Sequence, residues 1–472
     1  MSSEFTVSES GKVLENANLI KKYHGNLIYD YTEYPTKGIW TEEFGHEQYK
    51  DAICDWFPKN KKKPVLFYVH TPFCEQLCNF CLCSKEITQD YSKVKSYLYD
   101  YLSKEFDMLE KHLADNKISF NFKEIYLGGG SPTYYKKEEF KYLIGRLKNL
   151  IDFSNLGDFT IEVDPRRVTE ENLLFYHEMG VNRLSFGIQD FDHGVQEEIN
   201  RIQPPELMDK LLTPKIRKLF PVINFDLLIG LPRQTTKTIE KTIQEVTRLR
   251  PSQLQTMYVH YKPGTRKYMI KMVRNEPMLD FYDRKAVFQK ASGMLIKSGY
   301  KRAGFESYAL PSDPLTKSMQ DGKAVYNSLG TQKGEATNFI AVGSSAHGVL
   351  NDDYYFQNYY EQNLYREAID NGRFPIYRGL KMKRDDVIRR EVIRHIRTFF
   401  NLEFDFFEKK YELLFKQYFK KELKNLISFE KDQLIQINDN NVVLSPLGEH
   451  FSPQIANVFD TYNDQKFYEK NY

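Results

Sequence analysis

The chain has 472 residues, 41% hydrophobic and 15% aromatic, with 34 Phe and 33 Tyr. That length suits two to three domains, or one large α/β barrel with extensions, and it is ample for a real core. A formal charge of +3, from 67 basic and 64 acidic residues, gives no footprint for nucleic acid or a membrane surface, and no window approaches the roughly 18–20 apolar residues of a membrane span.

Residues 1–60 read as polar and irregular, with a helix over 42–56. The opening MSSEFTVSESGK lacks the basic-then-apolar layout of a signal peptide. From Val65 short apolar runs alternate with amphipathic stretches. VLFYVHT (65–71) reads as a strand, followed by a cysteine-rich loop and a helix over 91–112. EIYLGGGSPTYY (124–135) is a strand running into a glycine turn. FTIEVDP (159–165) is a strand followed by a helix over 169–179. NRLSFGIQDF (182–191) and VINFDLLIGLP (222–232) are strands, and a helix over 236–248 leads to SQLQTMYVHY (252–261). Strands separated by helices of this length predict βα units on a parallel sheet, as an open barrel or a doubly wound sheet. In either, the loops at the strand C-terminal ends build the site.

Four of the five cysteines fall within YVHTPFCEQLCNFCLC (68–83). Cys74, Cys78 and Cys81 make C-x3-C-x2-C, three thiolates without a fourth ligand at matched spacing. A structural zinc site closes four ligands into a tetrahedron, usually as two separated pairs. Three thiolates on a short loop suit a [4Fe–4S] cluster, whose irons are held by cysteine sulfur, with one iron left open to a substrate or cofactor. The competing reading is a group of buried or disulfide-bonded cysteines. Phe73 and Phe80 stand where they would keep water off a cluster. Cys83 is a structural or supporting residue in this reading, and Cys54 an ordinary core residue. Cysteines packed into one group also indicate a reducing, cytoplasmic compartment.

The strand ends carry the other candidates. Gly128-Gly129-Gly130-Ser131 lets backbone amides approach a ligand. Glu162 and Asp226 are carboxylates inside otherwise apolar strands, where a charge is costly unless paired. Gln189 ends a strand, and Arg201 follows. His347, in AVGSSAHG (341–348), has the chemistry of a proton shuttle.

These motifs together resemble the radical S-adenosylmethionine (SAM) superfamily, and within it the oxygen-independent coproporphyrinogen III dehydrogenases (oxidases). That family shares the Tyr-Val-His lead-in, the cysteine spacing and the extra C-x-C cysteine. The resemblance runs over about residues 15–470. It implies a partial (β/α)6 barrel, one [4Fe–4S] cluster on Cys74, Cys78 and Cys81, and two SAM molecules. Tyr68, Phe80, Gly129, Glu162, Gln189, Arg201 and Asp226 would line the first SAM pocket, with Glu162 the key carboxylate. Gly130, Ser131, Leu228 and positions near His260 and His347 would wall the second. It also implies four segments: a substrate-covering stretch (1–60), the barrel (61–310), a barrel extension (311–375) and a mostly helical C-terminal domain (376–472). That domain would carry a basic helix over 381–395 and a small winged portion over 434–444.

The activity implied is oxidative decarboxylation of porphyrinogen propionates to vinyls in anaerobic haem biosynthesis, through a 5′-deoxyadenosyl radical. Its partners would be a tetrapyrrole and an electron-donor protein. Two substrate-side departures stand against the family pattern. Tyr29-Asp30 replaces a Pro-Arg pair whose arginine would grip a propionate, a strong bidentate contact. Glu306-Ser307 replaces Asp-His in FESYAL (305–310). They favour the first of two alternatives. One is a class C radical-SAM methyltransferase acting on an sp2 carbon of an aromatic, quinone or tetrapyrrole substrate. The other, of a different class, is a haem-binding chaperone.

Overall fold

The computed structural model describes residues 17–24 and 32–462. Its centre is a 12-stranded sheet. Six strands alternate with helices: β1 Pro64–Thr71, β2 Asn121–Gly129, β3 Phe159–Val163, β4 Arg183–Gln189, β5 Val222–Ile229 and β6 Gln253–Tyr258. They lie side by side in chain order and run parallel. The sheet continues beyond β6 with the antiparallel β7 Lys301–Arg302 and β8 Ser307–Ala309, the latter beside β6. On the other side β9 Asn338–Val342 pairs parallel with β1. The antiparallel strands β10 His347–Leu350, β11 Tyr354–Asn358 and β12 Ile376–Lys381 complete that edge.

The architecture is the expected partial α/β barrel. Strands buried on both faces need near-continuous apolar runs, and β1 and β5 are buried along most of their length. The crossover helices start where the sequence signals them. Thr169 accepts from the Asn172 backbone N–H ahead of Glu170–Glu178, and Thr235 does the same for Thr238 ahead of Thr236–Leu249; such caps satisfy N–H groups the helix leaves open. The stretch read as one helix over 91–112 is Tyr91–Ser96, a π-helical turn Tyr97–Leu102, then Ser103–Asp115.

β12 lies within the segment read as the start of the C-terminal domain, but it is an edge strand of the large sheet. Hydrogen bonding to β11 decides this. The C-terminal unit follows it, with helices Arg384–Phe399, Phe404–Tyr411 and Lys420–Lys431. A three-stranded sheet orders Asn401–Glu403, Asn441–Leu444 and Ile435–Ile437 side by side. Its separate apolar core also takes in Ile20 and Tyr23 from the helix Ala17–His24. The basic stretch over 381–395 starts its helix three residues later, at Arg384, and two of its arginines, Arg389 and Arg390, are buried. Arg389 pairs with Asp385 and Glu422, and Arg390 with Asp352. No described helix is long and apolar enough to cross a membrane.

Candidate active site

The C-terminal ends of β1 to β6 surround a cavity of about 430 Å³. Cys74, Cys78 and Cys81 line it, together with Phe80, Gly129, Gly130, Ser131, Glu162, Gln189, Arg201, Asp226, Leu228 and His260. Residues up to 186 positions apart in sequence therefore meet in one place because parallel strands deliver their ends to one side. Two expected residues do not line the cavity. Tyr68 turns its hydroxyl to His70 Nδ1 at 3.1 Å, while His70 Nε2 donates to the Ser84 carbonyl at 3.0 Å. This chain ties the end of β1 to the end of the cysteine loop. His347 is held by Glu33 at 3.1 Å and Ser328 at 3.0 Å; burial lowers its pKa. Its partner Glu33 is kept ionised by Lys37 and His347 despite burial.

The cysteine loop is anchored from several directions. Phe73 and Cys74 pair with Glu86 and Ile87 as a short parallel ladder. Asn79 donates to the Glu198 carbonyl at 2.9 Å, and Asn200 donates to the Leu77 carbonyl at 2.7 Å. All five cysteines are free thiols, without the disulfides of the competing reading. No three His, Cys, Asp or Glu side chains among the described residues converge on a single metal ion. Thiolates that each take a separate iron of a cluster need no such convergence, and the donor set fits that group. Arg201 and Arg166 point guanidinium N–H groups at Cys78 Sγ, at 3.5 and 3.7 Å. Asp164 binds both arginines, at 3.4 and 2.7 Å. Burial pushes its carboxyl up, but the two arginines outweigh that and hold it at about 2.

Beside the loop, Glu162 accepts from the Gly129 backbone N–H at 2.9 Å and from Tyr126 Oη at 3.1 Å. Burial, and then the nearby Asp226, push its carboxyl up to about 7. Asp226 accepts from Asn224 Nδ2 at 2.8 Å and Ser185 Oγ at 3.0 Å, and burial raises it too. These carboxylates have backbone, hydroxyl and amide donors but no cation in ion-pair contact among the described residues. A ligand carrying an ammonium and hydroxyl groups would complete them. The backbone of Gly129 has φ +112°, and a Cβ there would stand 2.7 Å from the His70 ring. Gly129→Ala is therefore expected to cost about 1–3 kcal/mol through backbone strain and to displace the amide that binds Glu162; a denaturant melt and a SAM titration would measure both.

Tyr126, Asp164, Arg166, Ser185 and Asn224 escaped the sequence reading. The signal for some was alternation: Asn224 and Asp226 sit two apart on β5, and Glu162 is in register with Ser185 across β3 and β4. Of the substrate-side departures, Glu306 lines the cavity, accepts from Tyr326 Oη at 2.9 Å and lies 3.8 Å from Arg397. Ser307 is fully buried, bonded to Gln255 and Thr331. Asp30 lies outside the described residues.

Residues 68–246 match the Radical SAM superfamily and residues 382–449 the HemN C-terminal domain. An oxygen-independent coproporphyrinogen III oxidase from Helicobacter pylori is 32% identical over 92% of this chain and 93% of its own length. One from Escherichia coli is 32% identical over 95% of each chain. The chain belongs to the oxygen-independent coproporphyrinogen III oxidase family. The solved structure of the Escherichia coli coproporphyrinogen III oxidase, described as a radical SAM enzyme, superposes with a TM-score of 0.84 at 31% identity, covering 92% of this chain and 97% of that one. As a member of this oxidase family, the chain uses a [4Fe–4S] cluster and SAM, and the three-cysteine cavity is where its residues fit them.

Proposed function

We infer that this protein is an oxygen-independent coproporphyrinogen III oxidase, which converts two propionates of the porphyrinogen to vinyl groups. The observation that carries the reading is one cavity lined by Cys74, Cys78, Cys81 and the inward carboxylates Glu162 and Asp226. When bound, the reduced cluster and SAM would supply the one-electron chemistry that removes a hydrogen atom from a propionate, so that its carboxylate can leave as carbon dioxide and one electron can pass to an external acceptor.

The chain's own residues bind and orient. Cys74, Cys78 and Cys81 hold the cluster. Glu162, set by Gly129 and Tyr126, receives the ammonium of the first SAM, and Asp226 receives hydroxyls. Gly130, Ser131, Leu228 and His260 wall the space for a second SAM. Phe80 packs with Leu228 and Val259 in a small apolar group that excludes water beside the loop. Electrons arrive from a donor protein, and the reducing chemistry fits a cytoplasmic setting.

The test is anaerobic reconstitution, followed by SAM, a reductant and coproporphyrinogen III, with products read by mass spectrometry. Vinyl-bearing porphyrinogen with 5′-deoxyadenosine, and no S-adenosylhomocysteine, is expected. Untouched porphyrinogen with S-adenosylhomocysteine accumulating on another substrate would overturn the reading in favour of methyl transfer. Retained haem without SAM consumption would overturn it in favour of a chaperone.

A further inference from the structure

Cations surround the cysteine loop, and they are not equivalent. Arg166 and Arg201 reach Cys78, but both are bound to Asp164. Arg167, at the cavity edge, pairs with Glu75 at 2.7 Å. Lys85, half-buried just past the loop, has no carboxylate within ion-pair distance among the described residues. Its ammonium donates instead to the Cys81 carbonyl at 3.0 Å, the Cys83 carbonyl at 3.3 Å and Tyr268 Oη at 3.0 Å. It also lies 4.8 Å from the centre of the Tyr268 ring. Tyr268 in turn donates its hydroxyl to the Cys81 carbonyl. This tyrosine belongs to a different part of the chain, the 3-10 helix Lys267–Val273, which is fixed by the buried Met269 and Met272. The lysine is thus clamped on the backbone of one cysteine by a residue 183 positions further along the chain.

We propose that Lys85, fixed by Tyr268, is a positioning residue that sets the reduction potential of the cluster held through Cys81. This rests on the cluster reading given above. Adding an electron makes the cluster and its thiolates more negative, so a neighbouring positive charge without a countercharge favours the reduced form. Net charge, hydrogen bonding and exposure around the ligands are what tune such potentials. Arg166 and Arg201 share the one carboxylate of Asp164 and act at Cys78, whereas Lys85 is the cation held on the backbone of Cys81. Tyr268 adds no charge; it holds the ammonium against the loop and covers one of its faces.

The experiment is a redox titration of the full chain, reconstituted anaerobically without SAM and followed by electron paramagnetic resonance. Iron and sulfide contents are measured on every sample. Lys85→Met is expected to lower the equilibrium constant for one-electron reduction at least about tenfold, a fall in potential of about 59 mV. Lys85→Arg keeps the charge and is expected to retain most of the parent potential. Tyr268→Phe loosens the clamp and is expected to lower the potential less, in the same direction. Equal potentials for Lys85→Met and the parent, at equal iron and sulfide content, would overturn the proposal. Should Lys85→Met hold no cluster, Lys85→Gln and Tyr268→Phe take its place, and unmoved potentials in both would overturn it. A parent chain that takes up no iron or sulfide would refute the cluster reading itself, and is told apart by that analysis.

Discussion

Replacing Cys74, Cys78 or Cys81 by alanine, one at a time, is expected to abolish cluster assembly and turnover while leaving the fold standing. Each sulfur would hold its own iron, and no spare thiolate takes its place at the same spacing. The loss should exceed the 10–100-fold typical of removing a residue that merely supports a ligand. The fold should survive because none of the three cysteines belongs to the main apolar core, and Cys74 and Cys81 are only half-buried. Iron and sulfide analysis together with thermal melts of the apo protein would check both halves. Cys83 supplies the contrast. It is exposed and borders the cavity, so Cys83→Ala is expected to assemble a full complement of iron. Loss of iron in that variant would make Cys83 a ligand.

Glu162→Gln is expected to weaken SAM binding severely and yet make the apo protein more stable at neutral and alkaline pH. The sign follows from linkage. Glu162 titrates at about 7 in the folded chain, against an ordinary value of 4.5. Between those values the folded state binds more protons than the unfolded one, so stability falls as pH rises through that window. Above pH ~7 the full penalty is present, about 3 kcal/mol at about 1.36 kcal/mol for each pKa unit. The glutamine variant escapes it, so its advantage should be largest near pH 8 and vanish below about pH 4.5. Melts of parent and variant across that range would measure this, and an advantage that grew towards acid pH would refute it. SAM affinity of the parent should fall as pH drops below about 7, because the ammonium needs the ionised carboxylate. The opposing effects on stability and binding are what a site held ready for a cationic ligand predicts.

The structure separates Glu306 and Ser307, the two residues read from the sequence as substrate-side departures that lie among the described residues. Glu306 borders the cavity and reaches towards Arg397 of the C-terminal unit. Ser307 is locked in the sheet by Gln255 and Thr331. Only the first is placed to meet a bound molecule.

The sequence by itself singled out the candidate cluster ligands, because three cysteines at C-x3-C-x2-C are adjacent in the chain and their chemistry needs no fold to be read. It also determined the strands and most of the crossover helices, since doubly buried parallel strands must be apolar runs and the helices carry their own Thr caps. Single strand-end residues such as Glu162 and Asp226 were legible for the same reason: a charge inside an apolar run requires a purpose. Tertiary structure alone decided what those groups touch. Ser185, Asn224 and Tyr126 are ordinary polar residues until strand register sets them beside two carboxylates. His347 was legible as a titratable group, but only packing decides that its ring meets Glu33 and Ser328. Ile376–Lys381 read as part of the C-terminal domain until pairing with Tyr354–Asn358 fixed it to the large sheet. Lys85 and Tyr268 carry no joint signal along the chain, because their meeting depends on where a loop after β6 returns to the cysteines. Local chemistry is written in adjacent residues, whereas electrostatic environment is a sum over neighbours that only the folded chain brings together.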